Sequence, residues 1–179
     1  ETYYSWREEE REDFLGMCTG ARGVKMLYDG FFKEVMNPEY APQRLGDFLS
    51  EVLGAVVRVK SVLPNDTIRL TDESSLLVLD IVVEFEDGRI ANVEVQKIGY
   101  LFPGERSACY SADLLLRQYK RLQDERKKQF SYRDIKTVYT IVLFEHSPEE
   151  FQAYPGVYRH CFEQTSDTGV KLKVPQKFI

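Results

Sequence analysis

Residues 76–96, LLVLDIVVEFEDGRIANVEVQ, decide the fold of this chain. They form two runs rich in β-branched residues, which meet at Glu86-Asp87-Gly88, a sequence typical of a tight turn. We therefore predict a β-hairpin, and its loop allows two registers. A two-residue turn at Asp87-Gly88 would place Ile81 opposite Glu94 and would mix apolar and polar side chains on both faces.

A three-residue loop, with Gly88 in a left-handed bulge, separates the two kinds of side chain. Asp80 then lies opposite Glu94, and Val82 lies opposite Asn92. One face becomes wholly apolar, with Leu79, Ile81, Val83, Phe85, Ala91, Val93 and Val95. The other face carries Asp80, Glu84, Asn92, Glu94 and Gln96, with Val82 and Ile90 among them. Because a slip of one residue would bury these polar groups, we predict this second register.

The predicted register brings two carboxylates together. Facing acids on neighbouring strands repel by roughly 0.2–1 kcal/mol. A divalent cation between Asp80 and Glu94 would turn this repulsion into ligation, because hard cations bind carboxylate oxygens. The alternative is a solvated strand face on which both acids point apart into water, and the pattern alone leaves both interpretations open.

The composition is that of a globular chain. It has 179 residues, of which 43% are hydrophobic and 30% charged, so a sizeable core is expected. No stretch approaches the roughly 20 apolar residues of a membrane helix, so we predict no membrane partner. The odd set of cysteines, Cys18, Cys109 and Cys161, contains no CxxC pair and favours unpaired thiols in a reducing cytoplasm.

The formal net charge of −5 hides an uneven distribution. Residues 1–13 contain six acids and two arginines, whereas residues 117–136 contain eight lysines and arginines and three acids. The basic segment suits contacts with phosphate, although a solvated helix end is the commoner explanation of such a run.

The order of predicted elements is typical of an α/β protein with a mixed sheet. Helices are expected at residues 28–36, 44–53 and 105–128, strands at 55–63, 68–70 and 137–144, and a second hairpin at 157–174, turning at Asp167-Thr168-Gly169. We divide the chain into an acidic N-terminal arm (1–22), a core (23–145) and a C-terminal hairpin extension (146–179). Because the chain ends at Ile179 without a stop signal, we expect a longer protein that was cut at this point.

The chemistry-bearing residues resemble those of a known family. The pattern consists of Asp80, thirteen intervening residues and Glu94-Val95-Gln96, followed by a predicted helix and strand. It resembles the motif of the PD-(D/E)XK nuclease superfamily, and most closely that of its recombination-promoting nuclease and putative transposase group. The likeness is closest in FFKEVMNPE, LGDFLSEVLG, KTVYTIVLFE and the segment from VLDIVVEFEDG to LLLRQYKR, and covers most of residues 31–172. It implies a restriction-endonuclease-like core, with a central antiparallel hairpin in a mixed sheet flanked by helices.

The resemblance also implies a metal site. Asp80, Glu94 and the main-chain carbonyl of Val95 would hold Mg²⁺, or Mn²⁺ in its place, for hydrolysis of a phosphodiester bond. The third motif position, a lysine in much of the superfamily, is Gln96 here. Glutamine can orient water by hydrogen bonding but supplies no positive charge, so the catalytic set would be Asp80, Glu94 and Gln96.

The predicted DNA contacts lie on the long helix. The resemblance marks Arg106, Tyr110 and Gln118 as flanking the active site, whereas a purely structural interpretation makes Tyr110 a core residue and the other two surface residues. The charged residues Arg117, Lys120 and Arg121 extend the predicted contacts along the DNA backbone.

The resulting prediction is a cytoplasmic, Mg²⁺-dependent DNA endonuclease associated with recombination or transposition, with DNA and a second copy of the chain as candidate partners. One alternative is an inactive relative that binds nucleic acid through the basic helix. Another is a protein-interaction module that uses the acidic arm and the aromatic C-terminal hairpin. Metal binding would separate the first from the others.

Overall fold

A computed structural model describes residues 2–23, 27, 29–63, 81–98 and 104–179. The helices in these ranges are α1 (Thr2–Ser5), α2 (Glu8–Cys18), α3 (Asp29–Val35), α4 (Pro42–Leu53), α5 (Gly104–Arg126) and α6 (Glu149–Gln152). The strands are β1 (Val59–Val62), β2 (Ile81–Phe85), β3 (Ile90–Ile98), β4 (Val138–His146) and β5 (Gln176–Phe178). None of the described helices is long and apolar enough to cross a membrane.

The described strands form one five-stranded sheet in the order β1-β2-β3-β4-β5. β1, β2 and β3 are antiparallel neighbours, whereas β3, β4 and β5 run parallel. Parallel strands need a crossover connection, and α5 provides the one between β3 and β4. The predicted mixed sheet flanked by helices is confirmed.

The hairpin β2–β3 has the predicted register. Val82 pairs with Asn92, and Ile81 pairs with Val93. Gly88 has φ 83°, and its N–H donates to the carbonyl of Phe85 over 2.9 Å, as a three-residue loop with a glycine bulge requires. Asp80, which immediately precedes Ile81 in the chain, lies outside the described residues, as does the predicted strand at residues 68–70.

The apolar face of the hairpin packs on α3 and α4. The buried side chains of this core are Phe32, Met36, Leu45, Leu49, Val57, Ile81, Val83, Phe85, Ala91, Val93, Val95 and Ile141. The period of two in the strands and the helical spacing of the apolar residues in α4 both direct their apolar side chains into this layer.

Helix α5 covers the opposite face of the sheet. Its buried Tyr110 and Leu114 pack with Val82, Ile90 and Val138 in a second, smaller cluster. The polar residues of the hairpin therefore lie between the sheet and α5, which places the candidate site in the interior.

Strand β1 is shorter than the predicted strand at residues 55–63. Helix α4 ends at Gly54, which has φ 66°, and the N–H of Ala55 donates to the carbonyl of Ser50. The N–H of Val57 donates to Oγ of Ser50 over 3.0 Å. These backbone groups complete the end of the helix, so the strand begins only at Val59.

The C-terminal segment differs from the predicted hairpin. The turn is present: Gly169 has φ 82°, and the N–H of Ser166 donates to the carbonyl of Val170 over 2.9 Å. Strand pairing around it consists of the isolated bridge between Thr165 and Lys171. The chain then enters β5, which the sequence analysis did not identify. The division into arm, core and extension stays a prediction.

Candidate active site

The polar face of the hairpin is buried rather than solvated. Glu84, Asn92 and Glu94 are 6%, 0% and 1% exposed, respectively. Alternation along β2 and β3 places all three side chains toward α5. The interpretation of this face as a solvated strand surface is therefore wrong. Carboxylates in such a position need hydrogen bonds or counter-charges, because burying an unpaired charge is costly.

Glu94 lies in the centre of the sheet, and its carboxylate is oriented by a neighbour. The amide nitrogen Nδ2 of Asn92 donates to Oε1 of Glu94 over 2.9 Å. The two residues are two positions apart on β3, so their side chains leave the same face of the strand. Asn92 was predicted on this face but without a role, and its spacing of two residues from Glu94 was the signal that could have indicated one.

The other predicted metal-binding and catalytic residues are Val95, Gln96 and Asp80. Val95 directs a buried side chain into the apolar core, so only its main chain is suited to ligation. Gln96 is half-buried on the same face as Glu94. Asp80 lies outside the described residues, and its predicted position opposite Glu94 remains a prediction.

The beginning of α5 holds two of the predicted flanking residues in contact. Nε of Arg106 donates to the hydroxyl of Tyr110 over 2.8 Å, and the guanidinium lies 5.3 Å from the centre of the ring. Tyr110 is 1% exposed, whereas Arg106 is exposed. The tyrosine therefore belongs to the core beneath the helix and fixes the position of an arginine at its surface.

The other predicted DNA-contacting residues lie on the second half of α5, and they differ in burial and in ion pairing. Gln118 is 2% exposed, and its Oε1 accepts a hydrogen bond from the main-chain N–H of Lys136. Arg117 forms an ion pair with Asp113 over 2.9 Å. Burial raises the pKa of Asp113, and the neighbouring Arg117 only partly opposes it. Lys120 is exposed and has no ion pair among the residues that the structure describes.

Arg121 takes part in a charge cluster around the buried carboxylate of Glu84, which the sequence did not reveal. Its Nη1 lies 2.7 Å from Oε2 of Glu84, and Nζ of Lys60 lies 3.0 Å from Oε1 of the same carboxylate. Burial by itself would raise the pKa of Glu84, but the hydrogen bonds and charges of Arg121 and Lys60 outweigh it, and the pKa is lowered. Because the partners lie 24 and 37 positions away, no local motif could indicate them.

The oxygen donors on this face suit a hard divalent cation. Mg²⁺ binds proteins through one or two carboxylates, with water and substrate oxygens completing its shell. In the predicted site, Glu94 would provide one carboxylate and the main chain of Val95 would provide a carbonyl. Within the described ranges, no three His, Cys, Asp or Glu side chains converge on a common point. The second predicted acid, Asp80, lies outside those ranges.

Comparison with known proteins identifies the family. The model of the PD-(D/E)XK nuclease family transposases matches residues 26–172, which include the hairpin, α5 and β4. Searches of the curated proteins and of the solved structures returned no match. The matched range covers most of the chain, and the five-stranded mixed sheet flanked by helices agrees with a restriction-endonuclease-like fold. The chain therefore belongs to the PD-(D/E)XK nuclease family transposases.

Proposed function

We propose that this protein is a metal-dependent DNA endonuclease that acts in recombination or transposition. The observation that carries the proposal is the buried carboxylate of Glu94, which Asn92 orients at the centre of the sheet in a member of a nuclease family. A glutamate that is 1% exposed has little use as a solubilising residue, so a catalytic or structural role must account for it.

In the proposed site, Asp80, Glu94 and the carbonyl of Val95 hold Mg²⁺ or Mn²⁺. The bound cation supplies activation of water and neutralises charge on the scissile phosphate. Asn92 fixes the carboxylate of Glu94, and Gln96 positions the attacking water by hydrogen bonding. Exposed Arg106, held by Tyr110, contacts the phosphate backbone near the site.

The proposed DNA surface extends from this site along α5. Arg121 binds Glu84, which pairs with Ile90, four residues before Glu94. At about 3.3 Å per residue, the position of the Glu84–Arg121 ion pair lies about 13 Å from that of Glu94 along β3. That distance corresponds to roughly four base steps of a duplex, so Arg117, Lys120 and Arg121 would contact phosphates beside the scissile one. Gln118, buried beneath them, positions the helix rather than the DNA.

A second candidate function is a nuclease-fold protein that binds DNA without cutting it. Gln96 favours it, because this position lacks the positive charge that lysine supplies in much of the superfamily. The same basic helix would serve both functions. We place either protein in the cytoplasm, where the free cysteines Cys18, Cys109 and Cys161 stay reduced. A second copy of the chain is a further proposed partner, to be checked by light scattering.

The test is nicking of supercoiled plasmid with Mg²⁺, with Mn²⁺ and with EDTA. Asp80→Asn and Glu94→Gln should each lower the rate at least about a hundredfold, because metal-ion stabilisation of the transition state is worth several kcal/mol. Both variants should bind DNA in EDTA at least as well as wild type, since each removes negative charge. Gln96→Ala should slow cleavage while metal binding, followed by calorimetry, is retained.

The matched control is Glu86→Gln in the exposed turn of the same hairpin. It removes one acid without touching the buried face and should leave cleavage unchanged. Cleavage at the normal rate by a folded Asp80→Asn protein would remove this site from catalysis. DNA binding without cleavage by the wild-type protein under either metal would establish the second candidate function.

A further inference from the structure

Three aromatic rings cluster beside the second half of α5 and the loop that follows it. Tyr119 and Tyr132 are stacked, with ring centres 5.9 Å apart and an interplanar angle of 9°. Phe130 lies edge-on to both, with centres 5.3 Å from Tyr119 and 5.4 Å from Tyr132. Tyr132 nevertheless remains 75% exposed, so two neighbours orient its ring while most of it faces solvent. We refer to Tyr119, Phe130 and Tyr132 as the aromatic platform.

The loop that carries Tyr132 is fixed by several polar contacts. The N–H of Ser131 donates to Oδ2 of Asp134 over 2.9 Å, and the N–H of Arg133 donates to Oγ of Ser131 over 3.3 Å. Arg126 at the end of α5 forms an ion pair with Oδ1 of Asp134 over 2.9 Å. These contacts join the loop to the helix, so the exposed ring is held in place before any ligand arrives, which lowers the entropic cost of binding.

The cations on the second half of α5 and on the loop after it fall into two groups. Arg117, Arg121 and Arg126 are bound to acids. Four exposed cations close in sequence to the three rings have no ion pair with any residue that the structure describes: Lys120, Lys127, Lys128 and Arg133. The exposed acids Asp124 and Glu125 on α5 only partly offset them. The surface around the platform is therefore positively charged.

We infer that the aromatic platform binds single-stranded DNA, with an unpaired base stacked on Tyr132 and the adjacent phosphates bound by these cations. An exposed aromatic ring among cations suits this ligand, because every base has a face that can stack on it and the backbone supplies the anions. A duplex keeps its bases stacked on one another and offers the ring no such face. Charge complementarity favours DNA over an apolar protein surface.

The inference rests on the proposed DNA substrate but does not require cleavage. Tyr119 precedes Arg121 by two residues on α5, so Tyr119 and the Tyr132 ring stacked on it lie at about the level of Arg121 along the helix, whereas Glu94 lies about 13 Å from the Glu84–Arg121 pair along β3. A strand of several nucleotides bound at the active site would therefore reach the platform. The substrate class that this arrangement selects is DNA with an unpaired segment beside the cleavage point.

The experiment measures fluorescence anisotropy of the full chain in EDTA, with a single-stranded oligodeoxynucleotide and with its duplex. Tyr132→Ala should weaken single-strand binding roughly 5- to 150-fold, the loss typical of one stacked base. Tyr132→Phe should restore it, and duplex binding should change less than about twofold. A 2-aminopurine in the oligonucleotide should be quenched by wild type and Tyr132→Phe but not by Tyr132→Ala.

The matched control is Tyr158→Ala, which removes a tyrosine that is 95% exposed in the C-terminal segment. It should leave both affinities unchanged, and thermal melting should show that all variants are folded. Equal losses on single strand and duplex, tighter binding of an RNA of the same sequence, or no binding of single strands would each overturn the inference. If the protein binds single strands through Tyr132 but cleaves no DNA, the inference about the platform stands and only the proposed nuclease activity is contradicted.

Discussion

The amide of Asn92 donates a hydrogen bond to Oε1 of Glu94 over 2.9 Å, and both residues are buried between the sheet and α5. A neutral donor next to a carboxylate stabilises its charged form without adding a second charge. Replacement of Asn92 by aspartate, a residue of similar size, should therefore change the free energy of unfolding strongly.

We expect Asn92→Asp to lower the free energy of unfolding at pH 7 by about 3–5 kcal/mol, because it replaces a hydrogen-bond donor with a second buried carboxylate. Urea unfolding at pH 7 measures the effect.

The control for this prediction is Thr140→Val. Thr140 pairs with Asn92 in the sheet, is 0% exposed, and has no hydrogen-bond partner for its hydroxyl among the described residues. Its replacement should change the free energy of unfolding by less than about 1 kcal/mol, since no hydrogen bond is lost. Equal stability of Asn92→Asp and wild type at pH 7 would contradict the close approach of the two side chains.

The charge cluster around Glu84 predicts a dependence of stability on pH. Its pKa is lowered from the ordinary value of 4.5, so the folded state binds fewer protons than the unfolded state in this range. The stabilisation is complete above pH 4.5 and is lost as the pH falls through the lowered pKa. We expect Glu84→Gln to cost about 1–3 kcal/mol at pH 7 and progressively less below pH 4.5.

Urea unfolding of wild type and Glu84→Gln between pH 7 and pH 3 checks this expectation. The exposed Glu86, whose only described ion pair is with Arg58 at 4.0 Å, provides the control Glu86→Gln, which should show no such convergence. A constant difference between wild type and Glu84→Gln across the whole range would mean that the carboxylate is not stabilised by its two cations.

The basic face of α5 separates into residues with different expected effects. Arg121→Ala leaves Glu84 with Lys60 as its remaining described cation and should lower the free energy of unfolding by about 1–3 kcal/mol. Lys120→Ala should change stability by less than about 0.5 kcal/mol. It should weaken DNA binding similarly for all sequences. It should also reduce, by about one, the slope of the logarithm of the binding constant against the logarithm of the salt concentration.

Anisotropy titrations between 50 and 200 mM salt, about the range over which phosphate contacts lose their affinity, distinguish the two residues. If Arg121→Ala leaves the free energy of unfolding unchanged, its ion pair with Glu84 is incidental, and if it leaves DNA binding unchanged, Arg121 is removed from the proposed DNA contacts.

The hairpin was predictable because the residues that determine its register lie close together in the sequence. The loop Glu86-Asp87-Gly88 allows few geometries, and the alternation of apolar residues selects the register that separates the two faces. Gly88 and the pair Val82–Asn92 were therefore predicted correctly. The boundaries of β1 were less predictable, since the backbone of residues after Gly54 is used to end α4.

The environment of the site was not predictable from local pattern. Whether Glu84 and Glu94 face water or protein depends on the docking of α5, which begins after β3. The ion pairs of Glu84 with Lys60 and Arg121 join three separate elements. β5 also escaped prediction, because a strand of three residues has too little pattern to be recognised without its partner β4.

The last prediction concerns Lys127, the first residue after α5. It has φ 47°, a left-handed conformation that costs a residue with a side chain roughly 1 kcal/mol and that glycine adopts freely. We expect Lys127→Gly to raise the free energy of unfolding by about 0.5–1 kcal/mol, whereas Lys127→Ala, which retains the strain, should leave it unchanged. Both variants remove the same cation from beside the aromatic platform, so both should weaken binding of single-stranded DNA to the same extent. Urea unfolding and anisotropy on the two variants separate the backbone effect from the charge. A glycine variant no more stable than the alanine variant would show that the left-handed conformation carries no strain.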